Sequence, residues 1–144
     1  MFDSNTVKKQ AINIIQIRNT YQKATQSVKS AKALIGTDPD GSFTMSYESM
    51  LKASLALMFS YGFRPRVKLG HHKTLISFAT HTLGKEFSDI TNTYDKMRNK
   101  RNKLIYDVNY VSEIEAKEAL NVAKIYLKNI ADKIIENNPQ LKLF

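Results

Sequence analysis

Apolar positions recur along this chain at three- and four-residue steps, the pattern of amphipathic helices. Val7, Ala11, Ile14, Ile17, Tyr21, Ala24, Val28, Ala31 and Ile35 form one stripe from about Thr6 to Ile35. Ser4 or Asn5 is placed to cap its start and Gly36 to stop it. At ~1.5 Å rise per residue this helix is roughly 45 Å long and needs a neighbour along most of its length. Gly36–Ser42 is turn chemistry and predicts a loop. Its aspartates lack the regular ligand series of a calcium loop. A second helix is predicted from about Ser46, a candidate N-cap, to Tyr61. Met50, Leu51, Ala53, Leu55, Ala56, Leu57, Met58 and Phe59 make it apolar on nearly every side, so it belongs at the centre of the fold.

Gly62–Gly70 reads as a basic linker, since Pro65 and two glycines oppose a continuous helix. A short third helix opens at His71-His72 and reaches Leu83, and Gly84 closes it. The fourth helix runs from about Lys85 to Tyr106. The fifth starts at Ser112, which has capping-box spacing to Glu115, and ends near Glu136 before Asn137-Asn138-Pro139. Leu141, Leu143 and Phe144 form a small apolar tail that either docks or stays loose. No segment has a convincing strand period. The expectation is an all-α fold: an antiparallel helical bundle of about five helices with a short third helix, one domain over residues 1–144. No run of ~18 apolar residues reads as a transmembrane helix, and the first residues lack the pattern of a signal peptide. With no cysteine in the chain, a reducing cytoplasmic setting is expected.

Charge changes the picture because it is clustered. The formal net charge is +9. From Arg64 to Lys73 there are four Lys/Arg (Arg64, Arg66, Lys68, Lys73), the pair His71 and His72, and no acid. From Lys96 to Lys103 there are five Lys/Arg and again no acid. The fifth helix instead mixes acids with its lysines. Local basicity of this kind points to a polyanion partner, nucleic acid first. The adjacent histidines invite a metal reading. However, neighbours on a helix point ~100° apart, and no acidic or thiol partner sits four residues on, so no metal and no cofactor is expected. A loop-to-helix start carrying His and Lys suits a phosphate better.

One position breaks the helical pattern. In the fourth helix the apolar stripe runs Phe87, Ile90, Tyr94, Met97 and Leu104, and Arg101 stands where the spacing asks for an apolar residue. A guanidinium turned toward a core or an interface is costly unless something binds it. The bland alternative is an internal ion pair with a nearby acid, Asp95 or Asp107. Tyr106 reads equally as a core phenol, and Asn102 as a capping or solvent-facing amide.

The order of these features resembles the HEPN superfamily of small α-helical proteins, often found in toxin–antitoxin and defence systems. The resemblance rests on the long first helix, the apolar helix Tyr47–Tyr61, Gly62-Phe63-Arg64-Pro65, the linker ending Gly70-His71-His72, and Arg101-Asn102-Lys103-Leu104-Ile105-Tyr106. The family's signature is an arginine, a polar residue, a short spacer and a histidine. Here Arg101 and Asn102 match, and Tyr106 stands at the histidine position. The resemblance implies RNA as partner, a homodimer with a composite site, and metal-independent endoribonuclease activity, with Arg101, Asn102 and Tyr106 as catalytic residues.

Metal-free RNA cleavage needs a proton acceptor for the 2′-hydroxyl and charge to steady the phosphorane-like transition state. Arg101 supplies charge and Asn102 orientation. A tyrosine with a pKa near ~10 is a poor base unless cations such as Arg98, Arg101 and Lys103 lower it. His71 or His72 replaces the missing imidazole if the linker folds over the motif. Arg64, Arg66, Lys68, His71, His72, Lys73, Arg98 and Lys103 are the candidate nucleic-acid contacts. Two readings stay open: an RNA-binding ribonuclease, and a non-catalytic module that binds an antitoxin or nucleotidyltransferase-type partner or a nucleotide. A helix-turn-helix reading is weaker, since the basic residues sit at the C-terminal end of a long helix.

Overall fold

The computed structural model describes residues 5–66 and 71–141. Among them run strand β1 (Val7–Lys9), helices α1 (Ile14–Leu34) and α2 (Pro39–Ser60), strand β2 (Phe63–Pro65), and helix α3 (His71–Leu83). A single 3-10 turn (Lys85–Phe87) then leads to α4 (Ser88–Lys103), and α5 (Glu113–Asn137) follows. The all-α bundle of five helices with a short third helix is therefore what the chain forms. Helix α2 packs against each of the other four, as its all-round apolarity requires. Among the described residues no helix is long and apolar enough to cross a membrane.

The first helix starts later than its stripe suggests. Asn13 is the N-cap and accepts a hydrogen bond from the Gln16 N–H at 3.0 Å. Val7–Lys9 are instead paired antiparallel with Phe63–Pro65, in the register Val7↔Pro65, Lys8↔Arg64, Lys9↔Phe63. The pairing continues through Gln10 N–H to the Gly62 carbonyl and Arg66 N–H to the Thr6 carbonyl. Three residues per strand are too few to show a period, so this ribbon is a correction to the strand-free expectation. Its physical reason lies in the partner strand: Pro65 bars a helix there and leaves extended backbone groups for Val7–Lys9 to satisfy. Gly62 makes the sharp entry into β2 at φ 81°, a conformation that costs any side chain strain. A Cβ at Gly62 would meet only ordinary contacts, the nearest being 3.4 Å from the Gln10 carbonyl oxygen. Gly62→Ala should therefore lower stability by about 1–2 kcal/mol through the backbone alone, read as a lower urea midpoint at unchanged slope.

The second helix starts earlier than expected. Asp38 accepts the Gly41 N–H at 2.9 Å, and Pro39 sits in the first turn, where its missing donor is harmless. Ser46, expected as the cap, lies inside the helix, fully buried, and its Oγ has no hydrogen-bond partner among the described residues. Helix α3 begins at His71 and ends at Leu83, as expected. Ser112 and Glu115 form the expected capping box. Of the apolar tail, Leu141 is buried, while Leu143 and Phe144 lie outside the described residues.

The centre of the core is polar in one place. Ser54 Oγ donates to the Met50 carbonyl at 2.8 Å. The same oxygen lies 3.0 Å from Tyr94 Oη and 2.5 Å from Tyr126 Oη. With the serine proton already used, both phenols donate to it. Burial holds both phenols protonated by raising their pKa.

Candidate functional site

Arg101 lies on the last turns of α4, and its Nη2 sits 3.5 Å from Glu48 Oε1 on α2. The partner is thus neither Asp95 nor Asp107 but an acid more than fifty positions away in sequence. Both side chains keep solvent access, 35 % for Arg101 and 27 % for Glu48, so the pair is open at the surface and not sealed in the core. Arg98, one turn earlier, is turned inward at 14 % exposure and donates Nε–H to Asp95 Oδ1 at 3.1 Å.

A third helix reaches the same place. His72, in the first turn of α3, sets its Nδ1 3.2 Å from Tyr47 Oη. Tyr47 is the neighbour of Glu48 on α2 and is fully buried. Burial lowers the pKa of the imidazole, the nearby His71 lowers it further, and Arg101 and Arg98 add to the effect, while Glu48 works against them. His72 is therefore uncharged at neutral pH. His71 stands edge-on to it, ring centroids 4.9 Å apart, and is exposed.

The imidazole rests on a column of rings. Tyr126 and Tyr94 have centroids 4.9 Å apart, Tyr94 and Tyr47 5.9 Å, and Tyr47 and His72 5.8 Å. These tilted spacings are those of favourable aromatic pairs. The column runs from the Ser54 knot in the core to the surface group of Arg101, Glu48 and His72.

The other expected site residues are placed as follows. Tyr106 is in the turn after α4, where its N–H bonds the Lys103 carbonyl at 3.0 Å, and its side chain is 85 % exposed. It is not a core phenol. Asn102, Lys103 and Lys73 are exposed. Arg64 lies in β2 and Arg66 just beyond it, so both belong to the β ribbon. Lys68 lies outside the described residues. Glu48 and Tyr47 were missed by sequence reasoning. Glu48 did leave a signal: it is the one acid in the later turns of an otherwise apolar helix, the same kind of violation as Arg101. Among the described residues no group of three His, Asp or Glu side chains is placed to hold a metal.

His72 has a consequence for stability. Its folded pKa lies below the ordinary 6.5, so the unfolded chain binds the proton more readily. The stability this group contributes is complete above about pH 6.5 and falls as pH drops through the lower, folded value. Urea unfolding at pH 7.5 and 5.5 should show a smaller loss in His72→Gln than in the natural chain.

The fold and site define a class: an all-helical bundle carrying a surface arginine, braced by a carboxylate, beside an uncharged imidazole supplied by another helix. Residues 17–133 match the family model of the HEPN domain, and the chain belongs to that family. Membership places it, in general terms, among proteins with nuclease, RNA-related or nucleotide-related roles, whose domains commonly dimerise. No curated protein matches the chain.

Proposed function

We propose that this protein acts on RNA as a metal-independent endoribonuclease, in a toxin–antitoxin or defence setting, with Arg101 and His72 as the groups that meet the scissile phosphate. The observation that carries this reading is the convergence of three helices: Arg101 from α4 pairs with Glu48 on α2, and His72 from α3 bonds Tyr47, the residue next to Glu48. In a site of this kind Arg101 holds the charge of the phosphorane-like transition state, and Glu48 aims the guanidinium. His72 supplies an imidazole where the signature would place one at Tyr106. Lys103, two residues after Arg101, and Lys73, next to His72, are exposed and add positive charge on the two helices.

A homodimer belongs to this proposal. Ile105, Tyr106, Val108, Tyr110 and Ile114 are each at least 71 % exposed, an unusual density of large apolar groups within ten residues. The segment is pinned, not loose: the Val111 N–H is held by Asp40 Oδ1 at 2.6 Å and Lys100 binds Glu115 at 2.6 Å. A second copy laid against it would bring Tyr106 and Asn102 toward the arginine group. The test is cleavage of a defined RNA in the presence of a chelator. Cleavage by the natural chain and its loss in both Arg101→Ala and His72→Ala supports the reading; cleavage that persists in both variants refutes it.

A second reading, a non-catalytic module for an antitoxin or nucleotidyltransferase-type partner, is favoured by one observation. The Glu48 carboxylate partly cancels the charge of Arg101. Isolation from the natural host with a stoichiometric protein partner, free of RNA, would favour it.

A further inference from the structure

Tyr47 does something the signature motif does not describe. Its ring is wholly buried between His72 and Tyr94, and its hydroxyl has one hydrogen-bond partner among the described residues, His72 Nδ1 at 3.2 Å. A hydrogen bond between a phenol and an imidazole nitrogen has two versions. In one, the phenol donates and Nδ1 accepts, so the neutral ring carries its proton on Nε2. In the other, Nδ1–H donates, and the phenolic proton must then find a second acceptor. Among the described residues there is no second acceptor within hydrogen-bond distance, and a buried O–H without a partner is costly. The first version is therefore favoured.

We propose that Tyr47 is a positioning residue that fixes His72 as the Nε2–H tautomer, turning an uncharged N–H donor toward a phosphoryl oxygen beside the Arg101 guanidinium. The proposal rests on the reading that RNA phosphate enters at Arg101 and His72. It deepens that reading by giving His72 the role of a neutral donor to the phosphate and not that of the proton acceptor, so the 2′-hydroxyl proton leaves to water. Among the described residues the groups acting on the imidazole agree with a neutral ring: His71 on its own helix, Arg98 and Arg101 from α4, and from α2 the phenol itself, while Glu48 favours the imidazolium. Asp95 faces Tyr47, and burial keeps that phenol protonated. A neutral donor also avoids setting a second full positive charge against Arg101.

The tautomer is read directly by long-range proton–nitrogen spectra of the full-length labelled protein at pH 7.5, with His72 assigned from the signals lost in His72→Gln. The expected result is a single Nε2–H form. In Tyr47→Phe, which keeps the ring in its column, the Nδ1–H form should appear. The titration midpoint of His72 should also rise there, because the bond lost had favoured the neutral ring. A natural chain with its proton on Nδ1, or a tautomer and midpoint unmoved in Tyr47→Phe, overturns the proposal. The natural chain alone decides should the variant not fold.

Binding of a labelled single-stranded RNA adds the functional arm. His72→Leu should weaken binding by about tenfold, a lost hydrogen bond to a charged group. His72→Gln, whose amide N–H lies near the outer ring nitrogen, should weaken it by only about threefold. Equal losses in the two variants overturn the donor role. Absence of any RNA binding in the natural chain refutes the phosphate reading, while the spectra still decide whether Tyr47 sets the tautomer.

Discussion

Arg101→Ala is expected to lower chelator-resistant RNA cleavage by roughly 100-fold or more, the order found when a donor to developing transition-state charge is removed. The same change should barely move thermal stability. Its partner Glu48 is partly exposed, and an ion pair at 3.5 Å with solvent access is worth about 0–1 kcal/mol. For a chain of this size that is a few degrees of Tm at most, ~3 °C per kcal/mol. The contrast separates the two roles an arginine in an apolar stripe can have. A structural ion pair would give the reverse: a clear fall in Tm with activity preserved in the surviving folded protein. Glu48→Gln gives an intermediate test. It frees the guanidinium from its carboxylate, so RNA affinity should rise or hold while the turnover number falls through loss of aim. A fall in affinity together with unchanged turnover would instead make Glu48 a direct RNA contact. Salt provides the check on charge: the affinity should drop steeply between low and moderate ionic strength, as it does whenever phosphates are neutralised by fixed cations.

What could be read before the fold was known is local and repetitive. The bounds of α3, the capping box of Ser112 and Glu115, and the central position of α2 all follow from signals within a dozen residues. The late start of α1 and the early start of α2 show two different failures. For α2 the signal was present, since Asp38-Pro39 is an N-cap followed by a proline at N1, and the turn composition of Gly36–Ser42 masked it. For α1 a cap signal existed too, Asn13 with Gln16 three residues on, but nothing local excluded Val7–Gln10 from the helix. Val7 fits a helical stripe as well as a strand, and β2, more than fifty residues away, decides between them. The site divides in the same way. Arg101 was visible as a break in periodicity, whereas its contact with Glu48 and the approach of His72 to Tyr47 depend on how three helices cross. Tyr106 was selected by its position in a motif, and its outward orientation is set by the turn that ends α4 at Lys103.

Ser54→Ala should be the most destabilising one-atom change in the chain, at about 2–4 kcal/mol. Its Oγ donates to the Met50 carbonyl and accepts from two phenols, Tyr94 and Tyr126, all of them buried. Alanine keeps the helix, and on propensity alone would gain up to ~0.5 kcal/mol. The cavity left by one oxygen is small. Neither term competes with two buried O–H groups left without an acceptor, at about 1–3 kcal/mol each, partly relieved if the two phenols turn toward each other. Near ~3 °C per kcal/mol the melting temperature should fall by about 6–12 °C. The origin of the loss can be shown by removing the orphans. In Ser54→Ala/Tyr94→Phe/Tyr126→Phe no buried phenol remains, and that triple variant should recover most of the stability lost by the single one. A triple variant less stable than Ser54→Ala would mean that the hydroxyls of Tyr94 and Tyr126 are satisfied in some other way. The effect also reaches the surface, because Tyr94 packs at a tilt against Tyr47 and Tyr47 holds His72. In Ser54→Ala the ring of Tyr94 loses its anchor, so the Tyr47–His72 hydrogen bond beyond it should loosen and the Nδ1–H form should begin to appear at temperatures well below the melting transition.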